Sequence, residues 1–197
     1  DAKRLGARTP ERRQRVRDAL GIGADDEVIV AVGRQEHQKG HRFLLDAFEQ
    51  IAVARPSATL LIAGRNGSTT RELEARRNAS PVAERIRFLG ARDDVPDLLV
   101  AADVFAFPSL YEGLPGAVIE AMALEIPIVA SDIQPVLALV AAGTSALLVP
   151  AGDPNALVRL GVVGAAGGGA TWVDTSAYSV QEHLIVHVSW SLDSRSV

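Results

Sequence analysis

The sequence contains no cysteine and few aromatic residues, with two tryptophans, two tyrosines and five phenylalanines among its 197 residues. The absence of cysteine excludes disulfide bonds, thiolate metal sites and a cysteine nucleophile, and it leaves the redox compartment open. No apolar run approaches the roughly 20 residues that a membrane-spanning helix needs. The first 21 residues also lack the apolar core of a signal peptide. We therefore expect a cytoplasmic protein with no membrane span.

Basic residues are not in excess. The chain has 20 lysines and arginines against 24 aspartates and glutamates, which gives a net charge of −4. A protein that binds the phosphate backbone of nucleic acids usually carries a basic surface, so the composition argues against a nucleic-acid partner. The apolar content of 48% is enough for a substantial core in a chain of this length. The composition favours a globular domain with a small or neutral partner.

Short apolar runs alternate with helix-like segments from residue 28 onward. Six runs are predicted to be strands: VIVAVG, ATLLIAG, RIRFLG, DVFAFPS, PIVASD and ALLVP. They are almost uniformly apolar, which is typical of parallel strands covered by helices on both faces. The pattern predicts an α/β fold with a doubly wound parallel sheet, a Rossmann-like domain.

The chain divides into three predicted segments. Residues 1–27 are interpreted as a connector with a short helix and a solvated basic surface, and residues 28–158 form the α/β domain. Residues 159–197 are rich in glycine and lack the strand–helix alternation, so we expect a disordered or aberrant tail. His183 and His187 stand four residues apart in this tail, but two ligands in an apolar stretch do not favour a metal site.

Two cations follow the first predicted strand. Arg34 comes directly after Gly33, and Lys39 follows five residues later, near the start of the next helix. Two cations beside a helix N-terminus can bind a diphosphate, although Lys39 could also be a solvated helix-start residue. Neither the Walker pattern nor G-x-G-x-x-G is present, which removes the main support for an ATPase or a dehydrogenase. His37 and His41 flank the lysine and could contact a phosphate, although the pattern favours solvated turn residues.

Two glutamates lie on either side of a Gly-Leu-Pro-Gly turn. Pro115 suits the first turn of a helix, which places Glu120 on that helix and leaves Glu112 in the loop before it. A carboxylate accepts two hydroxyls well, as the diol of a ribose or sugar presents them. A metal site is less favoured because neither glutamate has His, Asp or another Glu within one helical turn. From the residues alone, three interpretations of the two glutamates remain open: a catalytic pair, a site that binds sugar hydroxyls, and two solvated surface charges.

Four segments together closely resemble the C-terminal, donor-binding domain of retaining GT-B glycosyltransferases of family 4, the "group 1" kind. They are VGRQEHQKGHRFLLDAF, RFLGARDDVPDLLVAADVFAFPS, EGLPGAVIEAMALEIPIVASD and ALLVPAGDPNAL, and the resemblance covers residues 10–158. It implies that the domain is the C-terminal half of a GT-B fold. It also implies a UDP-, GDP- or ADP-sugar as donor substrate, no cofactor, and an acceptor sugar or lipid-linked glycan held by a missing N-terminal domain.

The resemblance also implies roles for single residues. Arg34 and Lys39 match the family's phosphate-binding cations, Glu112 matches the glutamate that contacts the transferred sugar, and Glu120 matches the one that holds the ribose. Arg34, Lys39 and Glu112 are the implied catalytic residues, and no metal ligand is implied. The other implied donor-binding residues are Gly33 in the turn after the first strand, Gly113 and Leu114 in the loop that faces sugar and phosphate, and Phe88 and Leu89 at the strand end that lines the base.

The chemistry of the implied reaction agrees with these roles. Breaking the bond between a sugar and a diphosphate develops negative charge on the leaving group, so fixed cations stabilise the transition state more than the ground state. A metal is then unnecessary.

Three features of the sequence depart from the family pattern. The acceptor domain is missing, so we do not expect this chain to transfer sugar alone. Ala138 stands near the position at which many relatives have a further glutamate. The residues after 158 resemble nothing in the family. With its missing domain the protein would be cytoplasmic or peripheral at the inner membrane face. A sugar-nucleotide epimerase on the same fold and a non-catalytic relic are the alternatives.

Overall fold

A computed structural model describes residues 5–140 and 145–158 of the chain. The predicted tail, with His183 and His187, lies outside the described residues. All six predicted strands are present: β1 (Glu27–Val32), β2 (Ala58–Ala63), β3 (Ile86–Gly90), β4 (Val104–Phe107), β5 (Ile128–Ser131) and β6 (Leu147–Val149). The α-helices in the described ranges are α1 (Pro10–Leu20), α2 (His41–Ala54), α3 (Thr70–Ala79), α4 (Val95–Ala101), α5 (Gly116–Ala123), α6 (Gln134–Leu137) and α7 (Pro154–Leu157).

The six strands form one parallel sheet in the order β3-β2-β1-β4-β5-β6. The predicted doubly wound, Rossmann-like sheet is therefore confirmed. The strand order reverses at β1, which pairs with β2 on one side and with β4 on the other. In open sheets of this kind, ligands bind beyond the carboxyl ends of the strands where the order reverses. The loops that follow β1 and β4 are thus the expected place for a ligand.

Helices cover both faces of the sheet. Val30 and Leu61 belong to a buried cluster that includes residues of α4 and α5, whereas Ile29 and Leu60 belong to a second cluster with residues of α2 and α3. Successive residues of a strand point to opposite faces, so each central strand contributes to both clusters. This double burial explains why the strands are almost uniformly apolar instead of alternating with polar residues.

Helix α1 packs against the domain instead of forming a solvated connector. Thr9 caps its start by accepting a hydrogen bond from the backbone N–H of Arg12, and Gly21 ends it with a left-handed φ of 62°. Arg17 is 3% exposed and makes an ion pair with Asp103, the residue before β4. The prediction of a solvated basic surface is wrong for Arg17, because a buried carboxylate lies beside it in the fold but 86 residues away in the sequence.

Within the described ranges, no helix combines the length and the apolar character needed to cross a bilayer.

Candidate functional site

The loops after β1 and β4 contact each other at the point where the strand order reverses. The backbone N–H of Leu110 donates to the carbonyl of Gln38 at 2.8 Å, and Gln38 Nε2 donates to the carbonyl of Tyr111 at 2.9 Å. Gly40 has a φ of 64°, and a Cβ at this position would lie 2.0 Å from the carbonyl oxygen of Pro108. Glycine therefore allows the start of α2 to approach the end of β4 closely.

Lys39 and Glu112 form an ion pair across these two loops. Lys39 Nζ lies 2.5 Å from Glu112 Oε1, and the ammonium is 5.8 Å from the ring centroid of Phe107. The aliphatic part of Lys39 passes over Gly33, where a Cβ would come within 3.0 Å of the lysine side chain. The predicted glycine in this turn thus makes room for the predicted phosphate-binding lysine.

The carboxylate of Glu112 is held by further polar side chains. Ser109 Oγ donates to Oε1 at 2.9 Å, and Gln38 Nε2 is 3.3 Å from Oε2. The glutamate side chain is 7% exposed, so its charge is compensated in a largely buried place. Sequence reasoning missed Gln38 and Ser109 as site residues. Their position in the sequence could have identified them, because both are polar residues that stand next to motif residues in loops at strand ends.

Arg34 is exposed at the same rim of the sheet, that is, in the loops that follow the carboxyl ends of the strands. The next residue, Gln35, is buried, and its backbone connects the turn to the loop after β2. Its N–H donates to the carbonyl of Arg65 at 3.0 Å, and its carbonyl accepts from the N–H of Thr69 at 3.0 Å. These bonds fix the turn that carries Arg34, whose guanidinium remains accessible at the end of β1.

Glu36 lies two residues beyond Arg34. A hydrogen bond from the Ser68 hydroxyl holds the pKa of Glu36 below its ordinary value, with a smaller contribution from the charge of Arg34. Glu36 is therefore ionised at neutral pH and adds a negative charge to the rim.

His41 is buried, although it was predicted to be a solvated turn residue. It is the first residue of α2 and is 3% exposed. Burial, together with the nearby charge of Lys39, lowers the pKa of His41 to about 4. The imidazole is therefore neutral at physiological pH. The prediction was wrong because the closely packed Gly40 turn brings the residue beneath the loop, whereas His37 is exposed as expected.

Glu120 lies on α5 and lines a different part of the rim. The helix begins at Gly116, so Pro115 immediately precedes the first turn instead of occupying it. Glu120 borders a cavity of about 410 Å³ whose other lining residues are Arg12, Arg92, Asp93, Asp94, Val95, Pro96 and Asp97. The two predicted glutamates thus face different surroundings, one an ion pair at the switch point and the other an open cavity.

Two ion pairs border this cavity. Arg12 Nη2 lies 2.7 Å from Asp97 Oδ1, and Arg92 Nη2 lies 2.5 Å from Asp94 Oδ2. Hydrogen bonding from Arg92 lowers the pKa of Asp94. The cavity is therefore polar, with oppositely charged groups on its walls.

Phe88 and Leu89 do not face the same side of the sheet. Phe88 packs with the α2 and α3 side, where the Arg77 guanidinium lies 5.5 Å from its ring centroid, and Leu89 packs with the α4 and α5 side. The lining of the cavity beside Glu120, drawn from the described ranges, includes neither residue. The resemblance implies that the strand end around these two residues lines the base, and because adjacent strand residues point to opposite faces, only one of the two side chains can face that side.

Gly113 and Leu114 occupy the exposed loop between Glu112 and α5. Leu114 is 74% exposed, and its carbonyl accepts a hydrogen bond from the N–H of Gly116 at 2.9 Å. The loop is therefore accessible to a ligand at the carboxyl ends of the strands. No group of three metal-ligating side chains occurs among the residues that the structure describes.

Residues 26–160 match the family model described as glycosyl transferases group 1. The chain belongs to the group 1 glycosyltransferases. Two curated relatives illustrate the similarity. The lipopolysaccharide core biosynthesis mannosyltransferase LpsB of Rhizobium meliloti is 31% identical over 164 residues, which are 80% of this chain and 46% of LpsB. A GDP-mannose-dependent monoacylated alpha-(1-6)-phosphatidylinositol monomannoside mannosyltransferase of Corynebacterium glutamicum is 33% identical over 194 residues, 87% of this chain and 50% of the relative.

Solved structures share the fold of this chain. The crystal structure of Anabaena Alr3699/HepE in complex with UDP and glucose matches with a TM-score of 0.73 and 27% identity, over 80% of this chain and 43% of that chain. The C-terminal domain of a group 1 family protein, LpcC from Francisella tularensis, matches with a TM-score of 0.71 and 20% identity, over 81% of this chain and 84% of that one. This group 1 glycosyltransferase chain spans about half the length of the curated relatives it matches. The predicted family resemblance is confirmed.

Proposed function

We propose that this chain is the donor-binding part of a retaining glycosyltransferase. It would bind a nucleotide-diphospho-sugar at the carboxyl ends of the strands, where the loops after β1 and β4 meet. The observation that carries the proposal is the pairing of Lys39 with Glu112 at the switch point of a group 1 glycosyltransferase fold. A cation for the diphosphate and a carboxylate for sugar hydroxyls then stand side by side in the place where such sheets bind ligands.

Each site residue has a proposed task. Arg34 and Lys39 neutralise the diphosphate, with Gly33 leaving room for the lysine, and Glu112 contacts the transferred sugar. Arg34 is exposed at the rim and can swing onto a phosphate, whereas Lys39 is held in place by the loops. As the bond between sugar and diphosphate breaks, both cations offset the charge that develops on the leaving group.

The nucleoside part of the donor would extend toward the cavity beside Glu120. A carboxylate on a helix can accept both hydroxyls of a ribose, and the neighbouring cavity of about 410 Å³ has room for a base. Gly113 and Leu114 present backbone groups to the sugar and the phosphate. Leu89 and the strand end around Phe88 would supply the adjoining wall, more through backbone than through the phenylalanine side chain.

The donor is proposed to be a UDP-, GDP- or ADP-sugar that needs no further cofactor. HepE was crystallised with UDP and with UDP-glucose, and the Corynebacterium glutamicum relative is named for GDP-mannose, so proteins similar to this chain differ in the base of their nucleotide. The acceptor, a sugar or a lipid-linked glycan, would be held by a domain outside this chain. We therefore propose that the chain alone does not transfer sugar and that the whole enzyme works in the cytoplasm or at the inner membrane face.

A ligand screen tests this proposal. The 197-residue chain is melted with UDP-, GDP- and ADP-sugars and with the three free diphosphates, at concentrations far above the expected dissociation constants. A ligand at about 100 times its dissociation constant stabilises a fold by about 2.7 kcal/mol, which gives a clear rise in Tm. Lys39→Met, which keeps most of the aliphatic stem, serves as the matched variant and should reduce the rise. If none of the six ligands raises the Tm of the wild-type chain, the proposal is wrong.

A further inference from the structure

Glu112 already neutralises the charge of Lys39 within the fold, through an ion pair. The ammonium lies 2.5 Å from Oε1, and the two side chains are 19% and 7% exposed. Ser109 donates to the same oxygen and Gln38 to the other. The carboxylate is therefore held by three donors, an ammonium, a hydroxyl and an amide. The lysine is therefore not a free cation waiting at the rim, because a partner of opposite charge is built into the neighbouring loop.

We propose that Glu112 is an internal counter-ion that competes with the diphosphate of the donor for Lys39. This inference rests on the proposed function, since it assumes that a diphosphate binds at this rim. A diphosphate that approaches Lys39 must share or displace the carboxylate. Displacement leaves a largely buried carboxylate without its ammonium, which is costly unless new donors replace it.

The sugar of the donor supplies those donors. Hydroxyl groups of a bound sugar can donate to Glu112 and compensate the carboxylate for the ammonium that turns toward the phosphates. A free nucleoside diphosphate brings the same phosphates but no sugar hydroxyls. When it displaces Glu112 from Lys39, the free-energy cost of the unpaired carboxylate is therefore not offset by new hydrogen bonds. The ion pair therefore discriminates against the product diphosphate and favours its release once the sugar has left.

The test compares Glu112→Gln with the wild-type chain in calorimetric titrations with UDP, GDP and ADP. The amide has the shape of the carboxylate but no charge, so the diphosphate that binds should bind the variant about tenfold more tightly, the equivalent of one hydrogen bond to a charged group. Glu84→Gln changes the net charge equally at an exposed position next to β3 and should leave affinity unchanged. In a Lys39→Met background, Glu112→Gln should give no gain. Glu112→Ala replaces the amide variant if the latter does not melt cooperatively.

A second measurement needs no nucleotide. Acetylation of the chain with a limiting amount of an N-hydroxysuccinimide ester, followed by peptide mass mapping, reports how readily Lys39 reacts. Releasing Lys39 from the carboxylate should make it react several-fold faster in Glu112→Gln than in the wild type, while Glu84→Gln should not change the rate.

The outcomes separate the two proposals. If the wild-type chain binds a diphosphate and Glu112→Gln binds it no more tightly, the counter-ion role is wrong and the proposed function stands. An unchanged acetylation rate of Lys39 also overturns the counter-ion role. A chain that binds none of the nucleotides or nucleotide-sugars overturns the proposed function and the competition together.

Discussion

Arg17 Nη2 lies 2.7 Å from Asp103 Oδ2, and the two side chains are 3% and 6% exposed. The same carboxylate accepts from Arg13 at 2.5 Å and from the backbone N–H of Val28 at 2.7 Å. Asp103 therefore joins α1 to the beginnings of the central strands β1 and β4, at the ends of the strands opposite the proposed donor site. The helix that precedes the matched family region is fixed to the domain by buried charge.

Removing that carboxylate should destabilise the fold strongly. Asp103→Ala leaves the buried guanidinium of Arg17 without its counter-ion, and we expect the free energy of unfolding to fall by about 3–5 kcal/mol. Urea denaturation measures this change. The matched control is Asp46→Ala, which breaks an ion pair with Arg76 whose side chains are both more than 40% exposed and should cost less than about 1 kcal/mol. Equal losses in the two variants would contradict a structural role for the buried pair.

His41 should make stability depend on pH. Its pKa is about 4 in the folded chain because of burial and Lys39, against 6.5 in the unfolded chain. The unfolded state therefore binds a proton first as the pH falls, so this part of the stability is complete above pH 6.5 and is lost progressively toward pH 4. The loss amounts to about 3 kcal/mol.

Denaturation curves at pH 7.5, 5.5 and 4.5 test the role of His41. In His41→Leu the decline between pH 7.5 and 4.5 should be smaller, because the unfolded variant binds one proton fewer as the pH falls. His37→Leu removes an exposed histidine and should keep the decline of the wild type. A decline of equal size in His41→Leu and wild type would show that other groups cause it.

The strands of the sheet could be predicted from the sequence because the signal for each strand lies within a short run of consecutive residues. Each β-branched run, such as the one at Val28, carries its own strand signal, and the apolar period of α2 at Leu44, Phe48 and Ile51 matches the face that is buried. The glycosyltransferase motifs also identified both residues of the central ion pair, Lys39 and Glu112. Each of the two follows a predicted strand, but only the sheet order shows that these strands, β1 and β4, are neighbours.

What the sequence could not predict depends on contacts between distant residues. Arg17 looked like part of a solvated surface because Asp103 stands 86 positions away. His41 looked like a turn residue because nothing local reveals that Gly40 brings the loop against Pro108. The direct contact between Lys39 and Glu112 was missed for the same reason, since the motif assigns them to different groups of a donor.

Chelation should not weaken nucleotide binding if Arg34 and Lys39 supply the positive charge that the diphosphate needs. We expect the dissociation constant of the nucleotide-sugar identified by the screen to change less than about twofold on adding EDTA, within ordinary titration scatter. Raising the salt concentration should weaken binding instead, because exposed charges such as Arg34 are screened. A large loss of affinity on chelation that Mg²⁺ or Mn²⁺ restores would contradict the proposal and indicate a metal-bridged diphosphate.

Glu120 should contribute equally to the binding of free diphosphate and of nucleotide-sugar. If its carboxylate accepts the ribose hydroxyls, which both ligands share, Glu120→Ala weakens each of them by about 1.5–3 kcal/mol, the range for hydrogen bonds to a charged acceptor. This distinguishes it from Glu112, whose replacement should act differently on the two ligands. Calorimetric titration of both ligands against Glu120→Ala and the exposed control Glu84→Ala gives the comparison. If Glu120→Ala weakens only the nucleotide-sugar, the carboxylate contacts the sugar and not the ribose, and if it weakens neither, the donor does not reach the cavity beside α5.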